Sequence, residues 1–195
     1  MKPGGGSECA FGRIAAPARA CRQNWLRASA LALAVAVPGV AHADVLGEDS
    51  AACTSMGYSA ILANIVGLKD RSGRLKLELW RARDDEFLHD DWVLAGEGKF
   101  FRRVWADPPL SGPVSICIKA PGPGTYALFF THDRDGKNKF NFWKDGAGLP
   151  NSTRLGRNRP TLALAEVTVG IGVTTVTIRA QYLRGIFSGF GPVDD

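Results

Sequence analysis

Residues 175–183 run Thr-Val-Thr-Ile-Arg-Ala-Gln-Tyr-Leu, and this stretch decides the fold class. Val176, Ile178, Ala180 and Tyr182 lie on one face of an extended chain, whereas the residues between them are polar or charged. Alternation with a period of two is typical of a β-strand that buries one face. The sequence therefore predicts a half-buried antiparallel strand near its C-terminal end.

Similar short apolar stretches occur along the preceding sequence. Leu75, Leu77 and Leu79 alternate with other residues after a Ser-Gly turn, which predicts a β-hairpin. Residues 126–130, Tyr-Ala-Leu-Phe-Phe, form a continuous apolar run, as in a central strand that is buried on both faces. Gly- and Pro-rich turns separate the stretches, and no sustained helical periodicity interrupts them.

These patterns predict an all-β fold, an antiparallel β-sandwich of about seven strands with an immunoglobulin-like or prealbumin-like outline. The sandwich is expected to occupy residues 58–185. Small and polar residues at 44–57 predict a flexible lead-in, and residues 186–195 are expected to form a disordered tail.

The first 43 residues have a different character. Basic residues precede the apolar run 28–37, and Ala41-His42-Ala43 offers a cleavage site, so residues 1–43 are interpreted as a signal peptide. The apolar run is shorter than the roughly 20 residues that span a bilayer, and no later run reaches that length. We therefore expect an exported protein, periplasmic or extracellular, without a membrane span.

The charge of the chain argues against a nucleic-acid partner. The formal net charge is +5, but the first 43 residues hold five of the 24 Lys and Arg residues and one of the 19 Asp and Glu residues. The remaining chain carries +1, and no basic stripe with interleaved aromatic residues is left. The expected partners are a small molecule, a glycan or an envelope protein.

Cysteine usage agrees with export. Cys9 and Cys21 fall in the predicted signal peptide, which leaves Cys53 and Cys117 in the mature chain. Two cysteines in an exported protein that do not form a C-x-x-C pair predict one disulfide between them.

One acidic loop carries the candidate site residues. Asp133, Asp135 and Asn141 stand at positions 1, 3 and 9 of a D-x-D-x-x-x-x-x-N pattern, and Lys139 can offer its main-chain carbonyl at position 7. Hard oxygen ligands at this spacing suit Ca²⁺, so calcium is the one cofactor that the sequence suggests. His132 directly precedes the loop and is a further candidate ligand.

The same loop has a second interpretation. Lys137, Asn138 and Lys144 occupy positions 5, 6 and 12, where an EF-hand has a ligand, a glycine and a bidentate glutamate. Asp135-Gly136 is also a strong signal for a type I′ hairpin turn, with alternation resuming at residues 140–143. A hairpin turn and a weak calcium site are compatible.

Several segments together resemble a known bacterial family. They are Pro123-Gly124-Thr125-Tyr126-Ala127, the loop from His132 to Asn141, Gly148-Leu149-Pro150 and Arg159-Pro160-Thr161. The segments resemble the exported domain-of-unknown-function family 2141, and the resemblance covers roughly residues 58–183. It implies a prealbumin-like sandwich and no known activity. Lys137 and Asn138 replace Asn and Gly of the family pattern, and Asn141 replaces an Asp.

No catalytic motif is present: the sequence has no G-x-S-x-G elbow, H-E-x-x-H helix or phosphate-binding glycine loop. We therefore name no catalytic residue and predict a non-enzymatic binding or structural module of the cell envelope. One alternative is a calcium-supported domain that binds carbohydrate or a surface through its several tryptophans. The other is a hydrolase that uses the acidic loop.

Overall fold

The structure is a computed structural model that describes residues 44–193. It contains short helices and strands in the following order: β1 (Val45–Leu46), α1 (Ser50–Thr54), β2 (Ser59–Val66), β3 (Arg74–Arg81), α2 (Asp91–Gly96), β4 (Phe101–Ala106), β5 (Val114–Lys119), β6 (Gly124–Asp133), β7 (Gly146–Gly148), α3 (Leu162–Ala165), β8 (Glu166–Val169), β9 (Gly172–Arg179), β10 (Gln181–Leu183) and β11 (Phe190–Pro192).

The strands form two sheets, so the predicted all-β sandwich is confirmed. The larger sheet has the order β11-β10-β7-β6-β3-β4, with β8 also pairing with β6, and its pairs are antiparallel. The smaller sheet has the order β1-β5-β2-β9. Here the structure differs from the antiparallel prediction, because β9 runs parallel to β2 and β1 runs parallel to β5. The chain enters β9 from β8 of the larger sheet rather than through a hairpin with β2.

The hydrophobic core lies between the two sheets. Ile61, Ile116 and Ile178 of the smaller sheet pack in one cluster with the inward residues of β3 and β6. Leu75, Leu77 and Leu79 are fully buried there, as their alternation predicts.

The outer face of the larger sheet is also covered. Trp80 and Ala127 point away from the main core and pack with Phe87, Leu94 and Leu149 in a second cluster. This cover explains why β3 and the centre of β6 are buried on both faces. Residues 83–98 supply part of this cover through Leu94 of α2 and Phe87 of the turn before it.

The N-terminal segment is fixed to the smaller sheet. A disulfide joins Cys53 in α1 to Cys117 in β5, as the sequence predicts. The Asp49 carboxylate accepts hydrogen bonds from the Arg102 side chain and from the backbone N–H of Lys119, at 2.8 Å in the latter case. The predicted flexible lead-in therefore contains a strand and a helix that tertiary contacts hold in place.

The C-terminal segment also differs from its prediction. Residues 190–192 form β11, which pairs with β10, and Phe190 and Gly156 exchange backbone hydrogen bonds of 2.6 and 2.9 Å. Of the expected disordered tail, residues 194–195 lie outside the described residues. The predicted signal peptide, residues 1–43, also lies outside them. Within residues 44–193 no helix has the length and apolar character needed to cross a membrane.

Candidate metal centre

The acidic loop joins β6 to β7 at the end of the larger sheet. Strand pairing stops at Asp133 and resumes at Gly146 of β7, so the loop spans residues 134–145. The alternative of a two-residue hairpin turn at Asp135-Gly136 is wrong, because residues 140–143 form no strand. The loop instead closes through bonds to its own carboxylates.

Asp133 organises the first half of the loop. Its carboxylate accepts hydrogen bonds from the backbone N–H groups of Lys137, at 3.2 Å, and of Asn138, at 2.8 Å. Gly136 and Asn138 take positive φ angles of 66° and 56°, which turn the backbone back toward the carboxylate. The short polar side chain of asparagine tolerates this conformation better than most residues do.

Asp145 organises the second half from the other end. Its two carboxylate oxygens accept hydrogen bonds from the backbone N–H of Arg134, at 2.9 Å, and of Asn141, at 2.6 Å. Asp145 is only 1% exposed. A buried carboxylate at the far end of the loop therefore bonds to its beginning and its middle.

Three carboxylates converge inside this loop. One oxygen each of Asp133, Asp135 and Asp145 lie within 4.8 Å of one another. The Asp135 side chain is 10% exposed, and its Oδ1 is buried without a hydrogen-bond partner among the described residues. Buried polar atoms are nearly always paired, so this orphaned carboxylate oxygen beside two other carboxylates makes the cluster a candidate cation site.

Two exposed lysines lie at the rim of the cluster. The Nζ atoms of Lys137 and Lys144 lie 3.8 and 3.9 Å from Asp135 Oδ2. Burial raises the pKa of Asp135, but the hydrogen bond from Asn141 and the charges of the two lysines together lower it by a larger amount. The pKa of Asp135 is therefore below its usual value. The carboxyl is therefore ionised at neutral pH, as a cation ligand must be.

Asn141 and Lys139, which the sequence pattern predicts as ligands, have other surroundings in the structure. Asn141 donates a 3.2 Å hydrogen bond to Asp135 Oδ2 and accepts one of 3.1 Å from the backbone N–H of Trp143, so its amide orients the loop. Lys139 is exposed and lines a neighbouring groove. The carboxylate cluster itself consists of Asp133, Asp135 and Asp145.

His132 also lies outside the cluster. Its ring is fully buried, with Nε2 donating to the carbonyl of Ser72 at 2.8 Å and Nδ1 accepting from the Tyr182 hydroxyl at 2.7 Å. Both nitrogens are therefore engaged by the protein. Burial lowers the pKa of His132, which agrees with this neutral tautomer.

Arg134 fastens the loop to the turn between β2 and β3. Its guanidinium forms an ion pair with Asp70 and donates a 2.9 Å hydrogen bond to the carbonyl of Lys144. Although burial raises the pKa of Asp70, the hydrogen bonds from Arg134 and Ser72 hold it well below its usual range. These contacts therefore fix the base of the loop to the turn between β2 and β3.

Asp145 is not part of the ligand pattern in the sequence, to which it could be expected to contribute only from outside the loop. It stands one place beyond the twelve-position pattern, where Lys144 occupies the last position. The available signal was an acidic residue directly before the Gly146-Ala147-Gly148 strand, but only the folded loop brings its carboxylate back to Asp133.

Comparison with known proteins identifies a family for most of this domain. A family profile described as an uncharacterized protein conserved in bacteria (DUF2141) matches residues 63–177, a range that includes the whole loop. Neither the curated proteins nor the solved structures contain a significant match to the chain.

Proposed function

The chain belongs to DUF2141, a family of uncharacterised bacterial proteins, and we propose that it is an exported, non-enzymatic binding module whose β6–β7 loop holds a calcium ion. The observation that carries the proposal is the convergence of three carboxylates around the orphaned Asp135 Oδ1. Calcium takes six to eight oxygen ligands in flexible geometry, which carboxylates and water can supply together.

Export is supported by two independent features. The pattern of residues 1–43 is that of a signal peptide. The Cys53–Cys117 disulfide fits the oxidising space outside the cytoplasm, where such bonds persist. Calcium is an appropriate cation there, since extracellular modules bind it with Kd values of about 0.1 to 1 mM.

The proposed role of the ion is structural. The carboxylates of Asp133 and Asp145 already hold the backbone at Lys137, Asn138 and Asn141. A cation among the carboxylates removes their mutual repulsion and replaces the amines of the rim lysines. The loop is then held in one conformation and can present its surface to a ligand.

Thermal unfolding of the purified protein in EDTA and in 10 mM CaCl₂ tests the proposal. A Kd of about 0.1 to 1 mM gives a stabilisation of about 1.4 to 2.7 kcal/mol at that concentration, because the ligand binds only the native state. This corresponds to a rise in Tm of about 3 to 10 °C for a domain of this size.

Asp135→Asn is the informative variant, and Asp84→Asn is its control. Asp135→Asn removes one ligand charge but keeps Asp133 and Asp145, which hold the loop backbone. In EDTA it should unfold at the same temperature as the wild type or higher, and it should lose the calcium response. Asp84 is an exposed carboxylate outside the cluster, so Asp84→Asn should keep the response. No calcium shift in the wild type, or an equal shift in Asp135→Asn, would overturn the proposal.

A further inference from the structure

A pocket of about 220 Å³ lies beside the acidic loop. Phe129 of β6, Phe140 and Phe142 of the loop, and Phe190 of β11 line it. The Phe142 and Phe190 rings lie 5.0 Å apart and the Phe140 and Phe190 rings 5.9 Å apart, so two chain segments, the loop and β11, build one aromatic wall.

This wall is incompletely buried. Phe190 is 5% exposed, whereas Phe140 and Phe142 are 44% and 43% exposed. A ligand that covers these two rings removes apolar surface from water without displacing protein side chains. The free energy of such burial is the principal driving force for binding in a preformed pocket.

The polar part of the pocket is positively charged. Arg157, Asn158 and Arg159 line it, and none of the described residues that line the pocket is acidic. Both arginines are exposed, and the Arg159 Nη2 donates only long hydrogen bonds, of 3.3 Å in the case of the Leu88 carbonyl. A guanidinium has five N–H donors in a planar fork that matches a carboxylate, so donors remain for a ligand.

We propose that this pocket binds a small amphipathic carboxylate, with its aromatic or acyl body against the phenylalanines and its carboxylate at Arg157 and Arg159. The volume limits the size of the ligand, since pockets for drug-sized molecules begin at about 300 Å³. The charge selects an anion over a neutral molecule of the same shape.

Calcium controls the wall of the pocket, and this part of the inference rests on the proposed function. Asn141 lies between Phe140 and Phe142, and its backbone N–H donates to the Asp145 carboxylate at 2.6 Å. The metal centre and the pocket therefore share one short segment. Binding of the cation fixes the position from which both rings project.

Isothermal titration calorimetry of the purified protein with 4-phenylbutyrate tests the inference, with 4-phenyl-1-butanol as the matched neutral probe. In CaCl₂ the carboxylate should bind at least about tenfold more tightly than the alcohol, as expected for hydrogen bonds to a charged group. The Arg157→Gln, Arg159→Gln double variant should lose about the same factor. Arg179→Gln, on an exposed position of β9, should bind as the wild type does. EDTA should weaken the binding of 4-phenylbutyrate by the wild type.

The outcomes separate this inference from the proposed function. If calcium stabilises the protein but 4-phenylbutyrate does not bind, the pocket assignment is overturned and the metal centre stands. If the carboxylate binds equally in calcium and in EDTA and no calcium shift occurs, the pocket stands and the metal centre fails. Equal affinity for the alcohol and the carboxylate, or an unaffected double variant, would overturn the choice of an anionic ligand.

Discussion

Reduction of the Cys53–Cys117 disulfide should lower the free energy of unfolding by about 4 kcal/mol. The bond closes a loop between residues separated by 64 positions. In the chain-entropy model, a closed loop of this length reduces the entropy of the unfolded state enough to stabilise the native state by about 4 kcal/mol at 25 °C. For a domain of this size the loss corresponds to a fall in Tm of about 10 °C.

The position of the bond gives a reason to expect the full effect. Cys117 is completely buried in β5, which lies between β1 and β2. α1 contains only five residues, too few to be stable as an isolated helix. The bond therefore connects a segment with little stability of its own to the centre of the smaller sheet, and it links two regions that separate on unfolding.

Urea unfolding at 25 °C of the oxidised and the reduced protein measures the effect without changing any side-chain volume. Because the sequence contains four cysteines, the Cys53→Ala, Cys117→Ala variant is the control, and its stability should not respond to the reductant. If reduction lowers the wild-type free energy of unfolding by less than about 1 kcal/mol, the loop-closure argument is refuted, because the chain-entropy model requires a much larger effect for a loop of this length.

Three further perturbations act on the supports of the sandwich and of the loop. Gly73→Ala should cost about 3 kcal/mol in urea unfolding, because Gly73 has a φ of 67° and an added Cβ would lie 2.0 Å from the carbonyl oxygen of Asp133. Asp49→Asn should cost about 2 kcal/mol, because it breaks the ion pair of a buried carboxylate with the partly exposed Arg102. Stability should fall as the pH drops below about 6.5, because burial of His132 lowers its pKa in the folded state and the unfolded state takes up the proton first.

Each of these predictions has a matched control. Gly112 has a φ of 84° with no atom within 4 Å of an added Cβ, so Gly112→Ala should cost less than Gly73→Ala. Asp107 forms an ion pair with Arg74, but its side chain is 88% exposed. Asp107→Asn should therefore change the free energy of unfolding by less than about 0.5 kcal/mol. The pH dependence between 7 and 5 should decrease in His132→Gln, and an unchanged slope would show that another group causes it.

The strands could be predicted where burial alternates along the chain. Leu75, Leu77 and Leu79 face the core as their spacing indicates, and β6 is the central strand that residues 126–130 predict. The parallel pairing of β9 with β2 could not be predicted, because alternation gives the buried face of a strand but not the direction of its neighbour.

The candidate site divides in the same way. The loop and two of its carboxylates, Asp133 and Asp135, follow from the spacing of acidic residues. The role of His132 does not follow from the sequence. Its two ring nitrogens are engaged by the carbonyl of Ser72 and the hydroxyl of Tyr182, and only the tertiary structure brings these groups to the ring. Asp145 joins the cluster only after the loop has closed.

The sequence by itself determined the class of fold, the pairing of Cys53 with Cys117 and the location of the acidic loop. These features depend on local periodicity, on composition and on the small number of possible partners. The tertiary structure alone decided that Asp145 completes the cluster and that Phe190 meets Phe142 in a pocket. Such convergences depend on contacts between segments that are distant along the chain or on the exact path of a loop, and side-chain periodicity contains no information about either.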